Sequence, residues 1–208
     1  MAQVKIEEIN ALRNVLTARS YYDEKWLEQF VLVANWVNSF SNEKSRLLEV
    51  GCGVGMLSQY LTAQYAGIDP IEHKDLCKGI DFKIAIGEKI PYPDKSFDYV
   101  LIKDAINYFA VLGPFLTEAS RVLADNGAIL VTEFVGRRYH PRLQKLKNLI
   151  KKHLWIKRNM WDATYLNFYT SHDVKRLAEH HGFSVEYRYV NAELRYCLIL
   201  RKTPAVKG

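Results

Sequence analysis

The sequence has no apolar run of about 18 residues or more, the least that a membrane-spanning helix needs. Its N-terminus lacks the positive, apolar and small-residue succession of a secretory signal, because Lys5, Glu7 and Glu8 arrive early. Neither a span nor a leader is expected. Cysteine is scarce: Cys52, Cys77 and Cys197 stand far apart and lack the paired spacing of a zinc site. No metal site is therefore expected, a reducing, cytoplasmic setting is the simplest one, and each thiol reads as a small buried hydrophobe. Repeats and low-complexity tracts are absent as well, which excludes a solenoid.

What is present fits one α/β domain over residues 1–208, long enough to bury a sheet with helices on both faces but short for two cores. With 49% hydrophobic and 25% charged residues, the chain reads as globular rather than disordered. The net charge of +6 favours acidic partners, and its sum does not separate RNA, a phospholipid surface and an anionic metabolite.

Residues 1–40 read as an N-terminal helical cap. Ile6, Ile9, Leu12 and Leu16 recur at helical spacing, as do Trp26, Phe30, Val33 and Val37, with Ser20 and Asp23 as a capping-box pair between them. Then the pattern alternates. Strands are expected at Leu47 to Val50, Tyr65 to Ile68, Phe82 to Ile86, Tyr99 to Ile102 and Ala128 to Val131. Helices are expected at Met56 to Thr62 and Phe115 to Leu123, with a weaker turn at Glu72 to Leu76 and Asn126-Gly127 closing the second helix. A last helix opens on the capping-box pair Thr170 and Asp173 and ends at Gly182. Val185 to Val190 and Tyr196 to Leu200, joined by Asn191-Ala192-Glu193, read as an antiparallel hairpin. The fold expected is Rossmann-like: seven strands in a mostly parallel sheet, a C-terminal antiparallel hairpin, and helices on both faces.

The strongest local feature is Leu47-Leu48-Glu49-Val50-Gly51-Cys52-Gly53-Val54-Gly55. A buried strand ends in alternating glycines at the carboxyl edge, where open α/β sheets bind ligands. A dinucleotide fingerprint would need its third glycine at position 56, which is Met56, and a Walker motif would need a closing Gly-Lys-Ser/Thr that is absent. Glu49 beside the loop would repel a pyrophosphate and can hold an ammonium. Asp69, ending the second strand, can accept both hydroxyls of a ribose; such an acid serves NAD equally well, so it points to a nucleoside and not to one cofactor.

With these residues in place, the sequence resembles the class I S-adenosylmethionine-dependent methyltransferases, and within them the broad ubiquinone-biosynthesis-like (methyltransferase type 11) group. The matching stretches are LLEVGCGVG at 47 to 55, AGIDP at 66 to 70, GEKIPYPDKSFDYV at 87 to 100 and EASRVLADNGAILVTEF at 118 to 134. The likeness runs from about Tyr21 to the C-terminus and is strongest from Arg46 to Phe134. It implies S-adenosyl-L-methionine as cofactor. It also implies cofactor contacts from Glu49, Gly51, Cys52, Gly53, Asp69, Gly87, Glu88 and Lys103, with Tyr21 and Tyr22 either closing over that site or packing in the core. Two departures stand out: Ile86 and Gly87 occupy the places where the family commonly has an acid followed by alanine, and the link from Pro70 to Ile80 has scarcely room for a full helix. Ile86 cannot accept a hydrogen bond from the adenine amine.

A sulfonium methyl is already activated, so the missing catalytic triad or zinc cluster says nothing against methyl transfer. The acceptor is expected near the carboxyl ends of the fourth and fifth strands. Asp104 is there the candidate general base or substrate-orienting group, with loop capping or a salt bridge as its alternative, and Glu133 reads as facing a helix or a salt bridge. Asn107-Tyr108 falls where similar proteins approach cofactor or substrate. The Asn-Pro-Pro-Tyr and Asp-Pro-Pro-Tyr signatures of many N-methyltransferases are absent. From Gly136 to Tyr169 runs an insert rich in Arg and Lys whose first acid is Asp162, with Leu143, Leu146, Ile150 and Leu154 giving it an apolar face. In resembling enzymes an insert here is part of a substrate lid, and His140 within it is a second candidate base. A small-molecule acceptor, anionic in keeping with those cations, is the leading partner. The insert could alternatively rest on a membrane and meet a lipid acceptor, or grip RNA with Tyr139, Trp155, Trp161 or Tyr165 stacking on bases. The reaction expected is methylation of an oxygen or nitrogen of a small biosynthetic metabolite; RNA or lipid methylation, or a noncatalytic module retaining the nucleotide fold, are the alternatives.

Overall fold

The computed structural model describes residues 24–71, 77, 79–134, 169–188 and 195–203. The expected helix at Ile6 to Leu16, Ser20 and Asp23, Tyr21 and Tyr22, the turn at Glu72 to Leu76, residues 136–168 with His140, and the Asn191-Ala192-Glu193 turn all lie outside the described residues.

Helix α1 (Glu24–Asn38) buries Phe30, Val33, Ala34 and Val37, the three-and-four spacing that lays one helical stripe on a sheet. Its end is tied down. The Asn38 side-chain amide donates to the Tyr60 carbonyl at 2.9 Å and its oxygen accepts from the Thr62 amide at 3.1 Å. Seven strands succeed it: β1 (Arg46–Val50), β2 (Gln64–Asp69), β3 (Asp81–Ile84), β4 (Phe97–Lys103), β5 (Leu123–Phe134), β6 (Phe183–Arg188) and β7 (Arg195–Lys202). They lie in the order β3-β2-β1-β4-β5-β7-β6, with β7 antiparallel to both β5 and β6 and the other pairs parallel. The expected mostly parallel sheet with an antiparallel C-terminal pair is what forms. Helix α2 (Leu112–Val122) precedes β5, and α3 (Ser171–His180) precedes β6.

Alternation along the strands divides the core into two layers. Leu47, Leu101 and Leu130 face α1, while Leu48, Val50, Val100 and Ile102 face the layer that holds Phe115, Leu116 and Val174 of α2 and α3. The strand order reverses between β1 and β4, so their connections leave in opposite directions and a crevice opens at their carboxyl ends.

Several boundaries differ from the sequence expectation, and three of the differences have a visible cause. The Met56 to Thr62 helix is a 3-10 helix over Met56–Tyr60, because Gly55 is left-handed at φ 72° and Leu61 is already extended. Strand β3 ends at Ile84: the Ala85 amide turns to the Asp69 carbonyl and Lys89 closes back on Ile86. Asn126-Gly127 does not close α2, which stops at Val122; Leu123 already pairs with Phe97, and the register shifts before Tyr99 meets Ala128. Gly127 lies within that irregularity, where a Cβ would come 2.9 Å from the Asp98 carbonyl oxygen. The last helix forms as expected, with a reciprocal capping box between Thr170 and Asp173 and Gly182 at φ 78° beyond its end.

Candidate functional site

The loop leaving β1 turns on Gly51, Gly53 and Gly55, with φ of 76°, 55° and 72°. Such values strain any other residue. At Gly51 a Cβ would lie 2.6 Å from the Ala105 Cβ, and at Gly55 2.5 Å from Ile80 Cδ1. Gly51 is thus required by a rigid neighbour within the protein, quite apart from any ligand, whereas at Gly55 the Ile80 tip can move and it is the left-handed backbone that favours glycine. The helix beyond them is short: five residues of 3-10 helix are under two turns, so the dipole and stacked amides that hold a pyrophosphate are not built here.

Acids face this loop instead. Asp69, at the end of β2, accepts the Gly53 amide on one oxygen and the Ile71 amide on the other, both at 2.9 Å, and is 8% exposed. These bonds fix the carboxylate, which has acceptor positions for about four donors. Glu49 is 3% exposed and receives a 2.5 Å hydrogen bond from the Tyr65 hydroxyl. Burial pushes its carboxyl up to about 7; Tyr65 and Lys103 oppose the shift, while the charges of Asp69 and Asp104 add to it. Tyr65, one strand over, gets that reach because Gly67 stands directly opposite Glu49; a Cβ at Gly67 would lie 2.7 Å from Cys52 Sγ and 3.3 Å from the Tyr65 hydroxyl.

Cys52 and Cys77 both lie 3.7 Å from the Gly53 carbonyl oxygen and are buried. Burial holds both thiols above their ordinary range, with the charges of Glu49 and Asp69 adding to the effect at Cys52 and that of Asp69 at Cys77. Both are buried, as expected of small hydrophobes, and burial disfavours the reactive thiolate.

Across the crevice, Lys103 closes β4 with its ammonium 2.8 Å from Asp104 Oδ2 and 4.2 Å over the Phe30 ring of α1. Asp104 is itself left-handed at φ 54° and its amide donates to the Thr132 carbonyl on β5. A non-glycine residue held there is uncommon. The side chain of Asn107, in a 3-10 turn at Ile106–Tyr108, accepts the Tyr169 amide at 2.9 Å and so joins the β4 exit to the approach of α3. Glu133 is buried at the end of β5 and lies opposite Tyr196 of β7, whose phenol is held above its usual range by burial and then by Glu133 and Asp104.

Beyond β3, Gly87 is buried, and a Cβ there would lie 2.6 Å from Phe109 and 2.9 Å from Val50. Glu88 is half-buried, and burial raises its carboxyl. The loop carrying them is clamped by Arg121 of α2, which donates to the Ile90 and Tyr92 carbonyls and to Glu118 and Asp94.

The sequence profile described as a methyltransferase domain matches residues 19–187. The chain belongs to that methyltransferase domain family. Among curated relatives it is similar to a fatty-acid O-methyltransferase of Mycolicibacterium smegmatis, 35% identical over 44% of this chain and 38% of the relative. It is also similar to norajmaline N-methyltransferase of Rauvolfia serpentina, 26% identical over 62% of this chain and 49% of the relative. The chain therefore spans less than half the length of either. The PH0226 protein of Pyrococcus horikoshii superposes with a TM-score of 0.66, covering 88% of this chain and 94% of that one at 19% identity. That likeness is one of fold.

In this methyltransferase domain the sequence-nominated Glu49, Gly51, Cys52, Gly53, Asp69, Lys103 and Asp104 gather at one crevice. Gly87 and Glu88 border it beyond β3, and His140 lies outside the described residues. Sequence reasoning missed Tyr65, Gly67 and Phe30 as partners of the acids and of Lys103. The signal for Tyr65 was available, since a tyrosine two positions before a strand glycine can lean over the gap.

Proposed function

We propose that the protein transfers a methyl group from S-adenosyl-L-methionine to an oxygen or nitrogen of a small biosynthetic metabolite. The observation that carries the reading is the set of three carboxylates, Glu49, Asp69 and Asp104, around a glycine turn with Lys103 as the cation among them. That excess of negative charge, without a helix N-terminus for phosphate, suits a nucleoside carrying positive charge. S-adenosyl-L-methionine, when bound, supplies an electrophilic methyl on a sulfonium.

In this reading Glu49 holds the amino group of the cofactor, and Tyr65 fixes which carboxylate oxygen faces it. Asp69 accepts the ribose hydroxyls, and the Gly51–Gly55 turn, with Cys52 at its centre, packs along the methionine part. Gly87 and Glu88 border the nucleobase, and Lys103 steadies Asp104. Asp104 would orient the acceptor and take its proton, while the sulfonium would supply the methyl and keep the electron pair on its sulfur. His140 is an alternative base. Residues 1–208 act as one methyltransferase domain, 1–40 as its helical cap and 136–169 as the lid that selects the acceptor; the cations there favour an anionic one. Three free cysteines suit a cytoplasmic setting.

A lipid acceptor is the second reading, favoured by the fatty-acid O-methyltransferase among the relatives and by the amphipathic pattern of Leu143, Leu146 and Ile150. Among the described residues no helix is long and apolar enough to cross a membrane. A labelled-methyl transfer assay against fractionated metabolites, lipids and RNA decides among the acceptors. Failure of the folded chain to bind either the cofactor or its demethylated product would sink the proposal.

A further inference from the structure

Large apolar side chains left open to solvent are few among the described residues, and two of them, Ile84 at 54% and Ile86 at 46% exposure, stand together where β3 ends. That position is defined by the site already built. Ile84 is the register partner of Asp69, and the Ala85 amide bonds the Asp69 carbonyl at 3.1 Å. A ribose held by Asp69 carries two substituents, the amino-acid arm and the nucleobase. Toward β1 lies the turn with Glu49, which takes the amino-acid end; toward β3, the edge strand, lie the two isoleucines. The nucleobase must go to the second.

The polar groups of that segment are largely committed. The Ala85 amide goes to Asp69, and the Ile86 carbonyl accepts from the Lys89 amide. Glu88 is half-buried, and its own backbone amide helps hold its carboxylate. Gly87, pressed against Phe109 and Val50, presents main chain but no side chain. A flat aromatic base can therefore cover Ile84 and Ile86 and meet backbone amides at its ring nitrogens. No carboxylate at position 86 waits for an exocyclic amine.

Resting on the cofactor reading above, we infer that this site selects its nucleobase through apolar contact with Ile84 and Ile86 and through main chain, with no side chain of the described residues 84–87 to accept the 6-amino group. The consequence is tolerance: cofactor analogues altered at the 6-position should bind nearly as well as the adenine form. A charge-assisted hydrogen bond to that amine would otherwise contribute about 1.5–3 kcal/mol, and losing it would cost more than tenfold in affinity.

The test uses calorimetry on the full chain with S-adenosyl-L-homocysteine, its 6-deamino counterpart bearing hydrogen in place of the amine, and its N6-methyl form. Dissociation constants within threefold of one another are expected. A loss of tenfold or more for the deamino form would overturn the inference, and if Glu88→Gln then abolished that discrimination, Glu88 would be the missing acceptor. Ile86→Asp, at an exposed position that tolerates a polar side chain, should create a preference of about tenfold for the adenine form. Ile84→Ser combined with Ile86→Ser should weaken all three ligands about equally, by about tenfold; unchanged binding would show that the base lies elsewhere. If S-adenosyl-L-homocysteine itself does not bind the folded chain, the cofactor reading falls together with this inference. Selective loss of the deamino form, with the parent bound, removes this inference alone.

Discussion

Along β1 and β2 the acids that face the crevice are held by groups a strand or a loop away: Asp69 by the amides of Gly53 and Ile71, Glu49 by Tyr65. From β4 to β7 the polar groups are held by contacts between distant parts of the chain. Asp104 hangs on Lys103, which lies over Phe30 of α1, and Asn107 reaches Tyr169. The first half is a compact motif that, in the proposed reading, holds the cofactor. The second joins elements whose spacing can change without disturbing that motif, which in the proposed reading is where the acceptor is met.

The largest effect that would break this contrast is at Asp69. Asp69→Ala should weaken S-adenosyl-L-homocysteine by a hundredfold or more, about 3 kcal/mol, since it removes acceptors for two hydroxyls and loosens two loop amides. Calorimetry measures it. Unchanged affinity would remove the ribose assignment and with it the division into halves.

Glu49 sharpens the comparison through pH. Its carboxyl is raised from 4.5 to about 7 by burial, so below pH 4.5 it is protonated in both the folded and unfolded chain and costs nothing. Between 4.5 and 7 the unfolded chain ionises first and a penalty builds; above 7 it is complete, at about 3 kcal/mol. Glu49→Gln should therefore raise stability at pH 8 by up to about 3 kcal/mol, with the gain fading toward pH 4, as urea midpoints would report. Cofactor binding should move the other way. An ammonium needs the ionised carboxylate, so affinity should rise by about tenfold from pH 6 to pH 8 in the wild type and stay flat in the variant. A variant neither stabilised nor altered in its pH profile would mean that Glu49 is ionised by partners other than the ligand.

On the acceptor side, Asp104→Asn should lower turnover by about a hundredfold, near the low end for loss of a general base, while the dissociation constant of S-adenosyl-L-homocysteine moves less than threefold. Loss of cofactor binding with turnover of bound substrate intact would transfer Asp104 to the other half. His140→Ala is the companion measurement, because one of the two substitutions should flatten the pH dependence of turnover.

The same contrast explains how much could be read from the sequence. Strand content, sheet class and the glycine turn were legible because Leu47 to Gly55 and Tyr65 to Asp69 carry their information within a few residues. Asp98 reads as structural, and its carboxylate does accept the Arg46 amide at 2.8 Å. The short helix after Gly55 comes out shorter than its pattern suggests, since its end is set by Asn38, a residue 24 positions before Thr62. The close of α2 falls earlier than expected because Asn126-Gly127 is a turn signal wherever it occurs, and only the pairing of Leu123 with Phe97 shows that the strand has begun. The Glu49–Tyr65 and Lys103–Phe30 contacts depend on strand register and on which face α1 covers, neither of which periodicity supplies.

The smallest effect tests whether the acceptor half is joined as described. Asn107 is 9% exposed and its side-chain oxygen takes the Tyr169 amide, so Asn107→Ala leaves that donor to find water at the mouth of the crevice. A loss of about 1 kcal/mol in stability is expected, with a larger share of the penalty avoided the more easily water enters. Were Asn107 only a packing residue, cofactor affinity, KM and turnover would all be unaffected once the chain is folded. If instead it sets the distance between the β4 exit and the segment leading into α3, KM for the acceptor should rise severalfold while the dissociation constant for S-adenosyl-L-homocysteine stays put. That split between the two ligands is the boundary between the halves, measured at a residue that belongs to only one of them.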